Sequence, residues 1–173
     1  MKDRILIAGV GNIFLGDDAF GVEVVRLLEQ REVPGGVRVL DFGIRGFDLA
    51  YALLEDWQAI IIVDAIARGA SVGTLFLVEP EVDSIAAQPK EVMIDTHGMH
   101  PARVLQLAAS MGEIRARVYI VGCEPADLGD ELEGRMGLSE PVQIAVVQAA
   151  DMVEELANRI LAASNELIAR GSP

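Results

Sequence analysis

Two kinds of hydrophobic pattern alternate along the chain. Short unbroken apolar runs are typical of buried strands, and apolar residues that recur every three or four positions are typical of amphipathic helices. The runs predict five strands, at residues 5–8, 37–42, 59–63, 73–78 and 118–122. The helical spacing predicts four helices, at residues 18–30, 47–55, 101–111 and from 139 towards the C-terminus. The polar stretch 82–92 is predicted to be an irregular surface excursion.

This alternation predicts an α/β fold, a three-layer, doubly wound, mostly parallel five-stranded sheet with helices on both faces. The 173 residues fit a single domain, 1–173, in which residues 163–173 are expected to form a tail that frays. In a flavodoxin-like strand order the first and third strands are neighbours, and ligands bind outside the carboxyl ends of those strands.

Acidic residues stand at the predicted carboxyl ends of the first three strands. Asp17 and Asp18 follow the first strand, Asp41 ends the second and Asp64 ends the third. If the strand order is right, these carboxylates converge on one crevice. The plainer interpretation of Asp18 is a helix cap, a role that aspartate fills well. Because two aspartates are adjacent, one can cap the helix while the other faces the crevice.

A glycine turn joins the first strand to the first helix. Gly11 and Gly16 have the spacing of a phosphate-binding loop, but Asp17 and Asp18 occupy the positions where that loop has lysine and serine or threonine. The dinucleotide fingerprint also fails, because Phe14 stands where it needs its third glycine. Two carboxylates repel a phosphate and attract a cation, so the turn favours a metal over a nucleotide.

Composition narrows the possible partners. The net charge of −13 argues against nucleic acid, and no apolar run reaches the ~20 residues of a membrane span. A single cysteine, Cys123, excludes an intrachain disulfide and a cysteine-rich zinc site. We expect the N-terminus to enter a strand directly, with no signal peptide. We therefore expect a cytoplasmic protein with no nucleic-acid or membrane partner. We also expect it to be a monomer.

The two histidines, His97 and His100, lie in one short segment before the third predicted helix. Imidazole and carboxylate ligands suit a divalent ion such as Mg²⁺, Mn²⁺, Ni²⁺ or Zn²⁺. The alternative for each histidine alone is a structural role in the core. Cys123 is interpreted as a small buried hydrophobe, and Glu124 as the end of a strand.

Four blocks of sequence carry a resemblance to a known family. They are residues 9–21 (GVGNIFLGDDAFG), Ile62–Ala65, Thr96–His97 and residues 122–125 (GCEP). In these blocks the chain resembles the endopeptidases that mature [NiFe] hydrogenases by removing a C-terminal extension from the large subunit. The resemblance runs from the first strand to the start of the last helix.

The resemblance implies both an activity and a site. The expected activity is nickel-dependent cleavage of the hydrogenase large-subunit precursor after nickel insertion, in an enzyme of the aspartyl-type endopeptidase class. The family's metal-binding and catalytic positions fall at Asp18, Asp64 and His97, and the nickel is expected to be supplied by the precursor. Asp18 stands where many members have glutamate, and His100 where glycine is frequent. We assign His97 as the ligand and His100 to the rim.

Two other classes stay open at this stage. One is a non-proteolytic accessory module that binds nickel during hydrogenase assembly, and the other is a small-molecule hydrolase or nucleotide enzyme of doubly wound fold. Conversion of a precursor to a shorter product would distinguish the peptidase from the accessory module. Binding of a nucleotide would distinguish the small-molecule hydrolase or nucleotide enzyme from both.

Overall fold

Five strands form one sheet in the computed structural model, which describes residues 4–87, 100–128 and 134–170. The strands are β1 (Ile5–Val10), β2 (Val37–Gly43), β3 (Ala59–Ala65), β4 (Leu75–Val78) and β5 (Arg117–Cys123). They lie in the order β2-β1-β3-β5-β4. The predicted α/β class, the five strands and the adjacency of the first and third strands are confirmed.

The sheet is mixed, which corrects the prediction of a mostly parallel sheet. β1, β2, β3 and β5 are parallel, but β4 runs antiparallel to β5 at the edge of the sheet. The segment 66–74 that joins β3 to β4 is too short for the helical crossover that a parallel connection requires. β4 therefore runs in the opposite direction to β3, and β5 lies between the two.

The helices lie on both faces of the sheet. They are α1 (Phe20–Glu29), α2 (Gly46–Ala52), α3 (Val82–Ala86), α4 (Pro101–Met111) and α5 (Glu140–Arg170). α3 lies within the stretch that was predicted to be irregular, and the rest of that prediction, residues 88–92, lies outside the described residues. Within the described parts of the chain, no helix is long and apolar enough to cross a membrane.

Alternate side chains of the central strands enter two separate cores. Ile5 and Ile7 of β1 pack with α1 and α5, and Leu6 and Ala8 pack on the opposite face with α2 and α4. Successive residues of a strand point to opposite faces, so a strand that is covered on both sides reads as a continuous apolar run. This explains why β1 and β3 are buried throughout.

Two glycines bring α1 into backbone contact with the sheet. A Cβ at Gly9 would lie 2.4 Å from the carbonyl oxygen of Gly21, and a Cβ at Gly21 would lie 2.0 Å from that of Val63. Real side chains cannot make such contacts, so only glycine permits this approach. The close packing holds the start of α1, and the turn before it, against the carboxyl ends of β1 and β3.

Candidate active site

Asp64 is a buried carboxylate near the end of β3, between β1 and β5. Its side chain is 4% exposed, and burial raises its pKa well above the ordinary 3.8. The negative charge of Asp18 raises that pKa further, and the N–H of Ala65 opposes the shift by donating to the carboxylate. Asp18 and Asp64 are 46 positions apart in sequence but close enough to repel each other.

Asp18 reaches this position from the one-turn 3₁₀ helix Gly16–Ala19 that precedes α1. Its carboxylate accepts a hydrogen bond of 2.7 Å from the backbone N–H of Asn12. Partial burial raises the pKa of Asp18, and the hydrogen bond from Asn12 partly offsets that rise. The structure therefore brings together two of the three residues assigned as ligands.

Asp17 has a different task, although it is the neighbour of Asp18. Its buried carboxylate accepts hydrogen bonds from the N–H of Ala126 at 2.8 Å, and from the N–H and hydroxyl of Ser139 at 2.6 and 2.9 Å. Neither aspartate caps α1, because no side chain caps that helix or the 3₁₀ turn. The capping prediction was wrong, since both carboxylates are committed to other donors.

The turn that carries Asp18 is also tied to the segment before α5. The N–H of Gly16 donates to the carbonyl of Arg135 at 2.6 Å, and the N–H of Arg135 donates to that of Phe14 at 2.8 Å. Together with the bonds of Asp17, these contacts fix the turn from its outer side. Sequence reasoning missed this support, because no local pattern marks Arg135 or Ser139 as a partner of the turn.

Glu124 does more than end a strand. Its buried carboxylate accepts hydrogen bonds from the backbone N–H groups of Arg68 and Gly69, at 2.7 and 3.1 Å. Burial alone would raise the pKa of Glu124, but these donors and the N–H of Ala70 outweigh it and lower the pKa. Glu124 thereby stabilises the loop that follows Asp64. Sequence reasoning did not anticipate this role.

Cys123 is buried, as its sequence context predicted, and is a poor nucleophile. Burial raises the pKa of its thiol to about 12, with further contributions from the charges of Asp17 and Glu124. A thiol with that pKa holds its proton at neutral pH, whereas the thiolate is the reactive species.

The histidine segment lies partly outside the described residues. His97, the third assigned ligand, falls in the range 88–99, so its assignment stays a prediction. His100 is described as an exposed residue at the start of α4. Its backbone is extended (φ −65°, ψ 131°), as expected for a residue before proline, and its Nδ1 accepts a hydrogen bond of 3.3 Å from the N–H of Ala102.

A cleft of about 350 Å³ opens between the turn after β1 and the loop after β2. Asp41, predicted to lie near the other carboxylates, lines this cleft. The cleft also includes Gly11 and Asn12, and the latter donates its N–H to Asp18. We call it the apolar cleft, since most of its lining is apolar. Its full lining is Gly11, Asn12, Ile13, Phe14, Val22, Arg26, Asp41, Phe42, Gly43, Ile44 and Arg45.

The described donor set does not complete a metal centre. Among the residues that the structure describes, no group of three or more His, Cys, Asp or Glu side chains could hold an ion. Asp18 and Asp64 supply two carboxylates whose mutual repulsion a cation would relieve. A third protein ligand would have to come from outside the described residues. His97 and the rest of 88–99 lie outside them.

Fold and site together define a class of protein. It is a doubly wound α/β protein whose crevice, at the ends of β1 and β3, presents carboxylates where a nucleotide-binding member would present phosphate-binding groups. Residues 22–156 match the model of one family, described as hydrogenase maturation protease. The chain belongs to this family, whose members are hydrolases that cleave peptide bonds.

Individual relatives agree with this assignment. The hydrogenase 2 maturation protease of Escherichia coli strain K12 is 34% identical over 152 residues, covering 87% of this chain and 88% of the relative. The hydrogenase expression/formation protein HupD of Rhodobacter capsulatus is 33% identical over 129 residues, and the chain spans 60% of its length. The crystal structure of a hydrogenase 2 maturation peptidase from a Thaumarchaeota archaeon has a TM-score of 0.67 at 32% identity, covering 90% of this chain and 98% of that one.

Proposed function

We propose that this protein cleaves the C-terminal extension from the large-subunit precursor of a [NiFe] hydrogenase after nickel has been inserted. Asp18, Asp64 and His97 are the proposed contacts to nickel that the precursor already carries. The nickel is thus part of the substrate, and the enzyme binds this nickel before it cleaves the precursor.

The observation that carries the proposal is the pair formed by Asp64 and Asp18. A buried carboxylate beside a second carboxylate is electrostatically unfavourable in the free protein, and the raised pKa of Asp64 reports that cost. A divalent cation brought by the substrate would relieve the repulsion. The arrangement is therefore better suited to a partner that carries metal than to a neutral peptide.

The carboxylates have a positioning role in this scheme. By binding the metal that the precursor carries, they would hold the precursor so that its scissile carbonyl lies beside the crevice. The metal can also polarise that carbonyl or lower the pKa of a water. The raised pKa of Cys123 disfavours a cysteine nucleophile, which supports direct attack by water over a covalent intermediate with that residue.

The test is mass spectrometry of a purified large-subunit precursor before and after incubation with this protein. We expect loss of the C-terminal extension from nickel-loaded precursor and no change in nickel-free precursor. The protein alone, after chelation and gel filtration, should hold less than one equivalent of metal.

Three results would contradict the proposal. Efficient cleavage of nickel-free precursor, or stoichiometric metal that survives chelation, would indicate a self-contained metallopeptidase. Nickel binding with an unchanged precursor mass would instead support an accessory module of hydrogenase assembly.

A further inference from the structure

Large apolar side chains are exposed at the apolar cleft. Aromatic residues make up only 5% of the chain, yet Phe14, Phe47 and Tyr51 are 58%, 67% and 62% exposed. Phe14 lines the cleft from the turn after β1, and Ile44, 67% exposed, lines it from the loop after β2. Exposed apolar residues that cluster around a concavity are typical of a binding surface.

Helix α2 extends this surface away from the cleft. It begins two residues after Ile44, and its residues Phe47 and Tyr51 are four positions apart, so they lie on the same face. Within the cleft, Ile13, Val22 and Phe42 add an apolar floor. The surface therefore combines the apolar cleft with two exposed aromatic side chains on α2.

Asn12 links the apolar cleft to the carboxylate pair. It lines the cleft, and its backbone N–H donates to Asp18 at 2.7 Å. A ligand in the cleft therefore lies one residue away from the proposed metal contact at Asp18. An extended polypeptide fits this arrangement, because its alternate side chains can enter the cleft while its backbone continues towards Asp64.

Two arginines of the cleft are available to a charged ligand. The charged residues of the lining are Arg26, Arg45 and Asp41, and each arginine also pairs with an exposed carboxylate outside the lining, Arg26 with Glu23 at 2.7 Å and Arg45 with Asp48 at 3.6 Å. Exposed ion pairs of this kind contribute little free energy, so a ligand carboxylate can compete for either guanidinium. The guanidinium of Arg45 is held in place by donating to the carbonyls of Asp41 and Phe42, and it lies 5.9 Å from the centre of the Phe42 ring. The cleft can thus accept a ligand that combines an apolar side chain with a carboxylate.

We propose that the apolar cleft binds an extended segment of the substrate precursor. One aliphatic or aromatic side chain of that segment lies between Phe14 and Ile44, and a neighbouring carboxylate lies near Arg26 and Arg45. This inference rests on the proposed function, which supplies a polypeptide substrate. A second copy of this chain is a poorer occupant, because two chains of charge −13 repel.

The test compares KM and kcat for cleavage of nickel-loaded precursor. Phe14→Ser and Ile44→Ser should each raise KM about 10-fold and leave kcat within about twofold, since they remove binding surface and no reacting group. The matched control is Ile144→Ser on α5, which is 58% exposed, does not line the cleft and should change neither constant. Arg26→Gln should raise KM and weaken its dependence on salt.

A second measurement keeps the test valid if a variant folds poorly. A synthetic peptide with the sequence of the precursor's C-terminal segment should inhibit cleavage by the unaltered enzyme. Replacing its apolar residues by serine, one at a time, should weaken inhibition about 10-fold at one position at least.

Failure of this inference is distinguishable from failure of the proposed function. Cleavage by the unaltered enzyme, with unchanged KM in Phe14→Ser and Ile44→Ser, would overturn the cleft assignment alone. A concentration-dependent dimer that these substitutions abolish, with KM unchanged, would also overturn it. If the unaltered enzyme leaves every precursor intact, the proposed function itself fails.

Discussion

Replacing Asp64 by asparagine should abolish cleavage and at the same time stabilise the protein. The amide has nearly the same shape and can still accept the hydrogen bond from Ala65. It carries no charge, so it removes both the burial penalty and the repulsion from Asp18 that raise the pKa of Asp64. Loss of one charged contact to the metal should lower the cleavage rate by about 10²–10⁴-fold.

The expected gain in the free energy of unfolding is about 1–2 kcal/mol at neutral pH, the range found when a strained functional group is removed. For a chain of this size that corresponds to a rise in Tm of roughly 2–8 °C. This gain in the free energy of unfolding should increase with pH. Because the folded-state pKa of Asp64 is raised above 3.8, its contribution to stability is present at acid pH and is lost as pH rises through the folded pKa. The difference in the free energy of unfolding between Asp64→Asn and the unaltered protein should therefore grow with pH, and it should vanish below about pH 4.

Thermal unfolding from pH 3.5 to 8, paired with cleavage assays on nickel-loaded precursor, measures both effects. Asp83→Asn is the control, because Asp83 is an exposed carboxylate on α3, and it should alter stability by less than about 0.5 kcal/mol. Full activity in a folded Asp64→Asn protein would refute the site assignment. A loss of stability at neutral pH would refute the electrostatic reasoning.

Three further predictions concern residues near the site. Asp17→Asn should lower the free energy of unfolding by about 1–3 kcal/mol, since an amide cannot accept all three hydrogen bonds, and a denaturant titration would show no loss if the contacts are dispensable. Gly21→Ala should destabilise by about 1–3 kcal/mol or more in the same assay, because its Cβ would lie 2.0 Å from the carbonyl oxygen of Val63; an unchanged midpoint would contradict that packing. His97→Ala should lower cleavage by about 100-fold or more, whereas His100→Ala should cost at most about 10-fold to 100-fold. The reverse ranking would require a new ligand set.

Much of the sheet could be predicted because its central strands are buried on both faces. β1 and β3 read as unbroken apolar runs, and the acidic residues after them indicated which ends form the crevice. The direction of β4 was not predicted, since a four-residue strand has the same pattern in either direction. The length of segment 66–74 was the available signal, because a parallel crossover needs a dozen or more residues.

The roles of the site residues were less predictable where they depend on partners that are distant in sequence. Sequence alone could not tell which of Asp17 and Asp18 faces the crevice, because the donors that occupy Asp17 come from Ala126 and Ser139. The role of Glu124 likewise depends on three consecutive backbone N–H groups in a loop that only the folded chain brings to it. Local propensity carries no information on such partners.

The hydrogen bonds of Asp17 also set an order of events during synthesis. They join residues that are 109 and 122 positions apart, so the turn beside Asp18 lacks its outer support until Ser139 has left the ribosome. At about 5–20 residues per second, Ser139 leaves the ribosome roughly 6–24 s after Asp18 does. Until then the carboxylate of Asp17 lacks both hydrogen bonds from Ser139, and the turn that carries Asp18 lacks part of its support. A nascent chain therefore completes the contacts behind the carboxylate pair only late in synthesis.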